Sequence, residues 1–169
     1  MRSSVGYYPQ NRVSLGAKVE ELLEKSPRRN LRPDLLVTPH GSLEQCGEVL
    51  GKGFGSLDTS EYNNAVIIGP KHFDTGTDIG FFEESFETPL GTVGTDTGFT
   101  TQLKIDSPFD RIEFEGHQVF VEMQLIFLQK LLGDLKIVPL VVSNSVESDT
   151  VSRAAEKIRS FLNPEDLLI

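Results

Sequence analysis

Asn64-Ala65-Val66-Ile67-Ile68-Gly69 is a short run of apolar, mostly β-branched residues closed by Pro70. A run of this kind, without polar alternation, is the pattern of a strand covered on both faces, as in the parallel sheets of α/β proteins. Upstream, Pro33-Asp34-Leu35-Leu36-Val37-Thr38 has the same character and is bounded by prolines. Between the two lies Leu43 to Leu57, a helix weakened by Gly47, Gly51, Gly53 and Gly55, each costing about 1 kcal/mol relative to Ala, and so held by packing more than by propensity. Strand, helix, strand in that order implies a right-handed crossover between parallel strands.

Working outward, Leu15 to Lys25 spaces Leu15, Val19, Leu22 and Leu23 as an amphipathic surface helix that ends at Ser26-Pro27. Asp78 to Thr95, rich in Gly, Thr, Phe and Glu, reads as extended or hairpin segments at the edge of the sheet. Thr97 to Lys104 is a short helix. His117 to Leu132 is a stronger one with a broad apolar face, stopped by Gly133. Leu135 to Val142 repeats the buried-strand pattern, Glu147 to Leu162 is a further helix, and Leu167-Leu168-Ile169 begins a fourth buried strand. The expectation is a single three-layer α/β/α domain over residues 1–169 with a mainly parallel or mixed central sheet.

The composition excludes several function classes. With 169 residues, 38% hydrophobic and 11 of them Phe, the chain can bury a sizeable core. A net charge of −9 argues against nucleic acid, and the basic stretch Lys25 to Arg32 reads as a solvated loop. No apolar stretch approaches the roughly 20 residues of a membrane helix, and Met1-Arg2-Ser3-Ser4 does not open a secretory leader, so the expected compartment is the cytoplasm. Cys46, the single cysteine, cannot form an internal disulfide. A Walker loop, a Gly-x-Ser-x-Gly elbow and a dinucleotide fingerprint are all missing, which disfavours a nucleotide enzyme or serine hydrolase. Nothing in the sequence indicates an oligomeric state.

The chemistry lies in a repeated pattern. Leu35-Leu36-Val37-Thr38-Pro39-His40 and Val66-Ile67-Ile68-Gly69-Pro70-Lys71-His72 both run apolar strand, proline, histidine. Both histidines then follow strand C-termini, the edge at which open α/β sheets bind ligands. Two imidazoles there could share a transition metal such as iron, copper or zinc; equally, two loop histidines could be solvated or hydrogen-bonded. Two donors do not complete a metal site, since catalytic zinc takes three protein ligands and the non-haem iron triad adds a carboxylate. His117, Glu122, Cys46 and Asp74 are candidates for the further donor or its support. A rival reading is a non-enzymatic pocket in which Tyr7, Lys71 and both histidines hold an anionic or phosphorylated peptide or a small ligand, and a third is a degenerate paralogue kept as a structural partner.

At these residues the chain resembles the Memo family, also known as AmmeMemoRadiSam system protein B. Ser4-Val5-Gly6-Tyr7-Tyr8-Pro9, Val37-Thr38-Pro39-His40-Gly41, Ile68-Gly69-Pro70-Lys71-His72, Thr88-Pro89-Leu90-Gly91 with Asp96, Glu122-Met123-Gln124-Leu125 with Phe127-Leu128-Gln129, and Ile137-Val138-Pro139-Leu140 are similar, in order, to family segments. The resemblance implies a fold like the class III extradiol dioxygenases and a pocket whose metal ligands are His40 and His72. In an animal member the equivalent histidines are implied to work with a distant cysteine, in a copper-dependent redox protein that also binds phosphotyrosine peptides. That cysteine has no counterpart up to Ile169, and the family's C-terminal strands are expected to be missing. Within the family's Glu-His-Ser-x-Glu, this chain carries Gln118-Val119-Phe120-Val121-Glu122, with His117 upstream; Lys71 stands where the family has Ser, and Leu43 where it has a pocket Tyr.

Overall fold

The computed structural model describes residues 5–27, 29–72, 76–105, 107–113 and 118–169. The apolar run that decides the fold forms β1 (Asn64–Pro70), an inner strand of a mixed sheet. Beside it lie β6 (Lys136–Val142) and β7 (Asp166–Leu168), both parallel to it, with Asn64 opposite Lys136 on one side and Asp166 on the other. Beyond β6, β4 (Gly91–Thr95) is parallel and carries β3 (Phe86–Thr88) as an antiparallel hairpin partner. The C-terminal half of β6 also pairs antiparallel with β2 (Ile79–Phe81), which holds β5 (Phe109–Arg111). The extended and hairpin segments expected between Asp78 and Thr95 are therefore present, on one side of the sheet.

Helices cover both faces. On one, α1 (Arg12–Glu24), α2 (Leu43–Gly55) and α4 (Val119–Leu131) pack over Ala65, Ile67, Ile137 and Val141. On the other, α3 (Thr97–Leu103) and α5 (Ser148–Phe161) pack over Val66, Val138 and Leu140. The expected three-layer α/β architecture is observed. Local signals explain the helix starts: Asn11 caps α1 by accepting from the Val13 and Ser14 amides, and Ser42 with Gln45 forms a reciprocal capping box on α2. Among the described residues no helix is long and apolar enough to cross a membrane.

One element differs from expectation. Residues 34–38 do not form a strand buried on both faces; they make a single parallel bridge, Leu35 with Leu168, and Leu35 and Val37 are 54% and 85% exposed. Only Leu36 points to the core, where it packs with the α1, α2 and α4 layer. Leu36 N–H donates to the Leu168 carbonyl at 2.8 Å, so β7 lies between this segment and β1, and the two are not neighbours. Ahead of Ile169 the two segments flank an apolar cleft of about 410 Å³, lined by residues of 35–40 and 67–70 together with Phe120 and Gln124.

The helix that closes this end of the sheet is α4, and its first turn sits on the C-terminal end of β1. A side chain at Gly69 would overlap the ring of Phe120. Gly69→Ala is therefore expected to lose about 3 kcal/mol of stability in urea denaturation, the upper range of overpacking costs, and Phe120→Leu in the same chain should recover part of it. A Gly69→Ala protein as stable as wild type would show that this close approach does not exist.

Candidate functional site

The two Pro-His segments meet. Although β7 lies between residues 34–36 and β1, the rings of His40 and His72 lie with centroids 5.4 Å apart and planes inclined at 45°. With metal–nitrogen bonds of about 2.1 Å and each nitrogen roughly 1.1 Å from its ring centre, two imidazoles on one tetrahedral ion have centroids roughly 5 Å apart. The spacing thus fits a shared ion. Each histidine is held by a different layer. Lys71 N–H donates to the Val142 carbonyl of β6 at 2.9 Å and ties the His72 side to the sheet. On the His40 side, Gln124 of α4 bonds the two preceding residues, Thr38 and Pro39.

Around the rings is an open pocket of about 700 Å³, lined by Tyr7, His40, His72, Gln45, Gln118 and the first residues of α4. Tyr7, half-exposed, is brought there because its carbonyl accepts from the Leu43 amide at the start of α2. Gln118, 2% exposed, has a side-chain nitrogen with no hydrogen-bond partner among the described residues. A buried donor left without an acceptor costs about 1–3 kcal/mol, a cost that a water or a ligand acceptor in the pocket would remove. Sequence reasoning registered Gln118 only as a departure from the family's Glu, and it gave no sign of Gln45 as a wall of the pocket.

The other sequence candidates fall elsewhere. Lys71 is not in the lining; its ammonium donates to the Thr77 carbonyl. Glu122 is buried inside α4, 3% exposed, and accepts from the Tyr8 hydroxyl, so it is neither a surface residue nor part of the pocket wall. Cys46 is half-buried on α2, packed against the core, with its sulfur over Gly41. His117 and Asp74 lie outside the described residues. Among the described residues no third His, Cys, Asp or Glu joins the pair in a group able to hold a metal ion. Among the described residues the donor set is therefore two imidazoles, adequate in spacing and short of the three protein ligands of a catalytic site.

The family model for Memo-like proteins matches residues 2–169. The chain belongs to the Memo family. It is 32% identical over 158 residues to a MEMO1 family protein of Archaeoglobus fulgidus, covering 93% of this chain and 58% of the relative. Similar proteins occur in Aquifex aeolicus, 26% identical over 92% of this chain and 42% of the relative, and in Thermotoga neapolitana, 34% identical over 80% and 52%. This Memo chain thus spans about half the length of these curated relatives.

Burial, and secondarily the neighbouring His72, holds the His40 imidazole below the usual histidine range. The neutral ring is favoured in the fold, which is the form a metal requires. Unfolded His40 takes up a proton near pH 6.5, about the usual histidine value, before folded His40 does. Its contribution to stability is therefore undiminished above that pH and is lost as pH falls from there through the folded value. In an NMR titration His72→Gln is expected to bring His40 partly back toward the usual range, because burial, the larger cause, remains. A complete return would assign the effect to charge alone.

Proposed function

We propose that this chain carries a metal pocket in which His40 and His72 are protein ligands to one transition-metal ion, iron, copper or zinc. The single observation that carries the reading is the 5.4 Å separation of the two rings, brought together from segments about thirty residues apart, one leaving the end of β1 and the other held against α4. Iron or copper held there would supply non-haem redox chemistry of a dioxygenase-like kind, which zinc would not, and the site would require a third donor beside the two imidazoles. The chain's own residues would act on the ligand: Tyr7, Gln45 and Gln118 offer hydrogen bonds to a small molecule or peptide, while Val119 and Phe120 wall the pocket at the start of α4.

A second reading, a non-enzymatic module for an anionic or phosphorylated peptide or small ligand, is favoured by one feature. No Asp or Glu lines the described pocket, whereas amide and imidazole groups do. Lys71 adds little to it, because its ammonium turns to the Thr77 carbonyl.

Elemental analysis separates the two. After loading with iron, copper and zinc in turn, wild type is expected to retain close to one equivalent of at least one metal, and a His40→Ala, His72→Ala double variant to retain none. Metal-free wild type after every loading would refute the metal pocket and leave the binding module.

A further inference from the structure

Past Leu36 the segment that carries His40 leaves the sheet. The last backbone bond to β7 is made at Leu36, residues 36–40 have no regular secondary structure, and Val37 is 85% exposed, so neither a ladder nor side-chain burial at Val37 fixes this stretch. What does hold it is one buried side chain. Thr38 Oγ1 donates to Gln124 Oε1 at 3.0 Å, and Gln124 Nε2 donates to the Pro39 carbonyl at 3.2 Å. Among the described residues these are the only hydrogen bonds made by residues 37–40. Gln124 itself is 3% exposed, inside α4 between the buried Met123 and Leu125.

We propose that Gln124 is the positioning residue for His40: its amide clamps the two residues that immediately precede the histidine and thereby sets the separation of the two imidazoles. A glutamine suits this task because the amide carries an acceptor and a donor on one rigid plane, so it can take the Thr38 hydroxyl proton and give an N–H to Pro39 at once. The clamp acts on one histidine only. His72 is tied through Lys71 N–H to β6, whereas the side-chain bonds of Gln124 go to Thr38 and Pro39. Supporting groups one step removed from a metal ligand orient it, and their loss typically lowers metal affinity by about 10–100-fold.

The part of this inference that concerns metal rests on the proposed metal pocket; the part that concerns the order of residues 38–41 does not. Gln124→Met keeps the length and removes both bonds, and Thr38→Val removes the hydroxyl half. In zinc competition with a chromophoric chelator, Gln124→Met is expected to weaken binding about 10-fold or more, Thr38→Val less, and the double variant no more than Gln124→Met alone, as members of one unit do. Backbone ¹⁵N relaxation should show new mobility over residues 38–41 and altered His40 ring resonances, with those of His72 unchanged. Unaltered relaxation and His40 resonances in a folded Gln124→Met protein would overturn the proposal. So would changes spread equally over both histidines, the mark of general loosening. Should Gln124→Met fail to fold, Thr38→Val, at a half-buried position, gives the same relaxation test. Wild type that binds no zinc, iron or copper would refute the metal pocket, and the relaxation result would then decide the clamp alone.

Discussion

The structure depends on a helix that is buried on every side. From Phe120 to Leu128 no residue of α4 reaches solvent to any extent, because the sheet lies beneath it and α1 and α2 lie against it. Such a helix is apolar all round, and any polar side chain in it must find a partner in the protein interior or cost the full desolvation penalty. Two of its polar side chains, Glu122 and Gln124, answer that demand by drawing in distant parts of the chain. Tyr8 is brought onto Glu122 across 114 residues of sequence, and Thr38 and Pro39 onto Gln124 across about 85. The geometry of the pocket is in this sense a by-product of satisfying the interior of α4: the N-terminal segment that delivers Tyr7 and the loop that delivers His40 are both moored to the same helix.

This also explains which parts of the site the sequence disclosed. The repeated pattern of apolar run, proline and histidine singled out His40 and His72 together, although only His72 follows a strand of the sheet; His40 reaches the same place from a stretch that has left it. The central strands Asn64 to Gly69 and Leu135 to Val142, and the helices over Leu43 to Leu57 and Glu147 to Leu162, were legible from periodicity, with boundaries shifted by one or two residues. Residues 33–38 were not. Their apolar run equals that of β1 in composition, yet it lies outside β7, so the face shared by Leu35 and Val37 has no helix over it. Composition reports what a residue tolerates, not how many layers surround it.

Gln124 was invisible for the converse reason. A glutamine within an amphipathic pattern reads as the solvent side of a helix, and only the depth of α4 in the fold reverses that reading. Lys71 was misplaced because a charge in a loop has no direction in sequence; its four-carbon stem reaches the Thr77 carbonyl in preference to the pocket. Glu122 fell between its two expected roles: buried, as a supporting carboxylate would be, but bonded to a tyrosine hydroxyl outside the pocket wall.

The two imidazoles are consequently held by independent means, one through a side-chain amide of α4 and one through a backbone bond to β6. A single rigid loop carrying both would fix their spacing whatever happened to the core. Here the spacing is the difference between the positions of two layers, so it depends on how α4 sits on the sheet, and that in turn is set where Phe120 lies over Gly69 at the end of β1. Packing at Gly69, hydrogen bonding at Gln124 and the ring separation are thus three expressions of one contact between helix and sheet. The absence of side-chain volume at Gly69 lets α4 approach, the approach brings Gln124 within reach of Thr38 and Pro39, and that reach places His40 opposite His72.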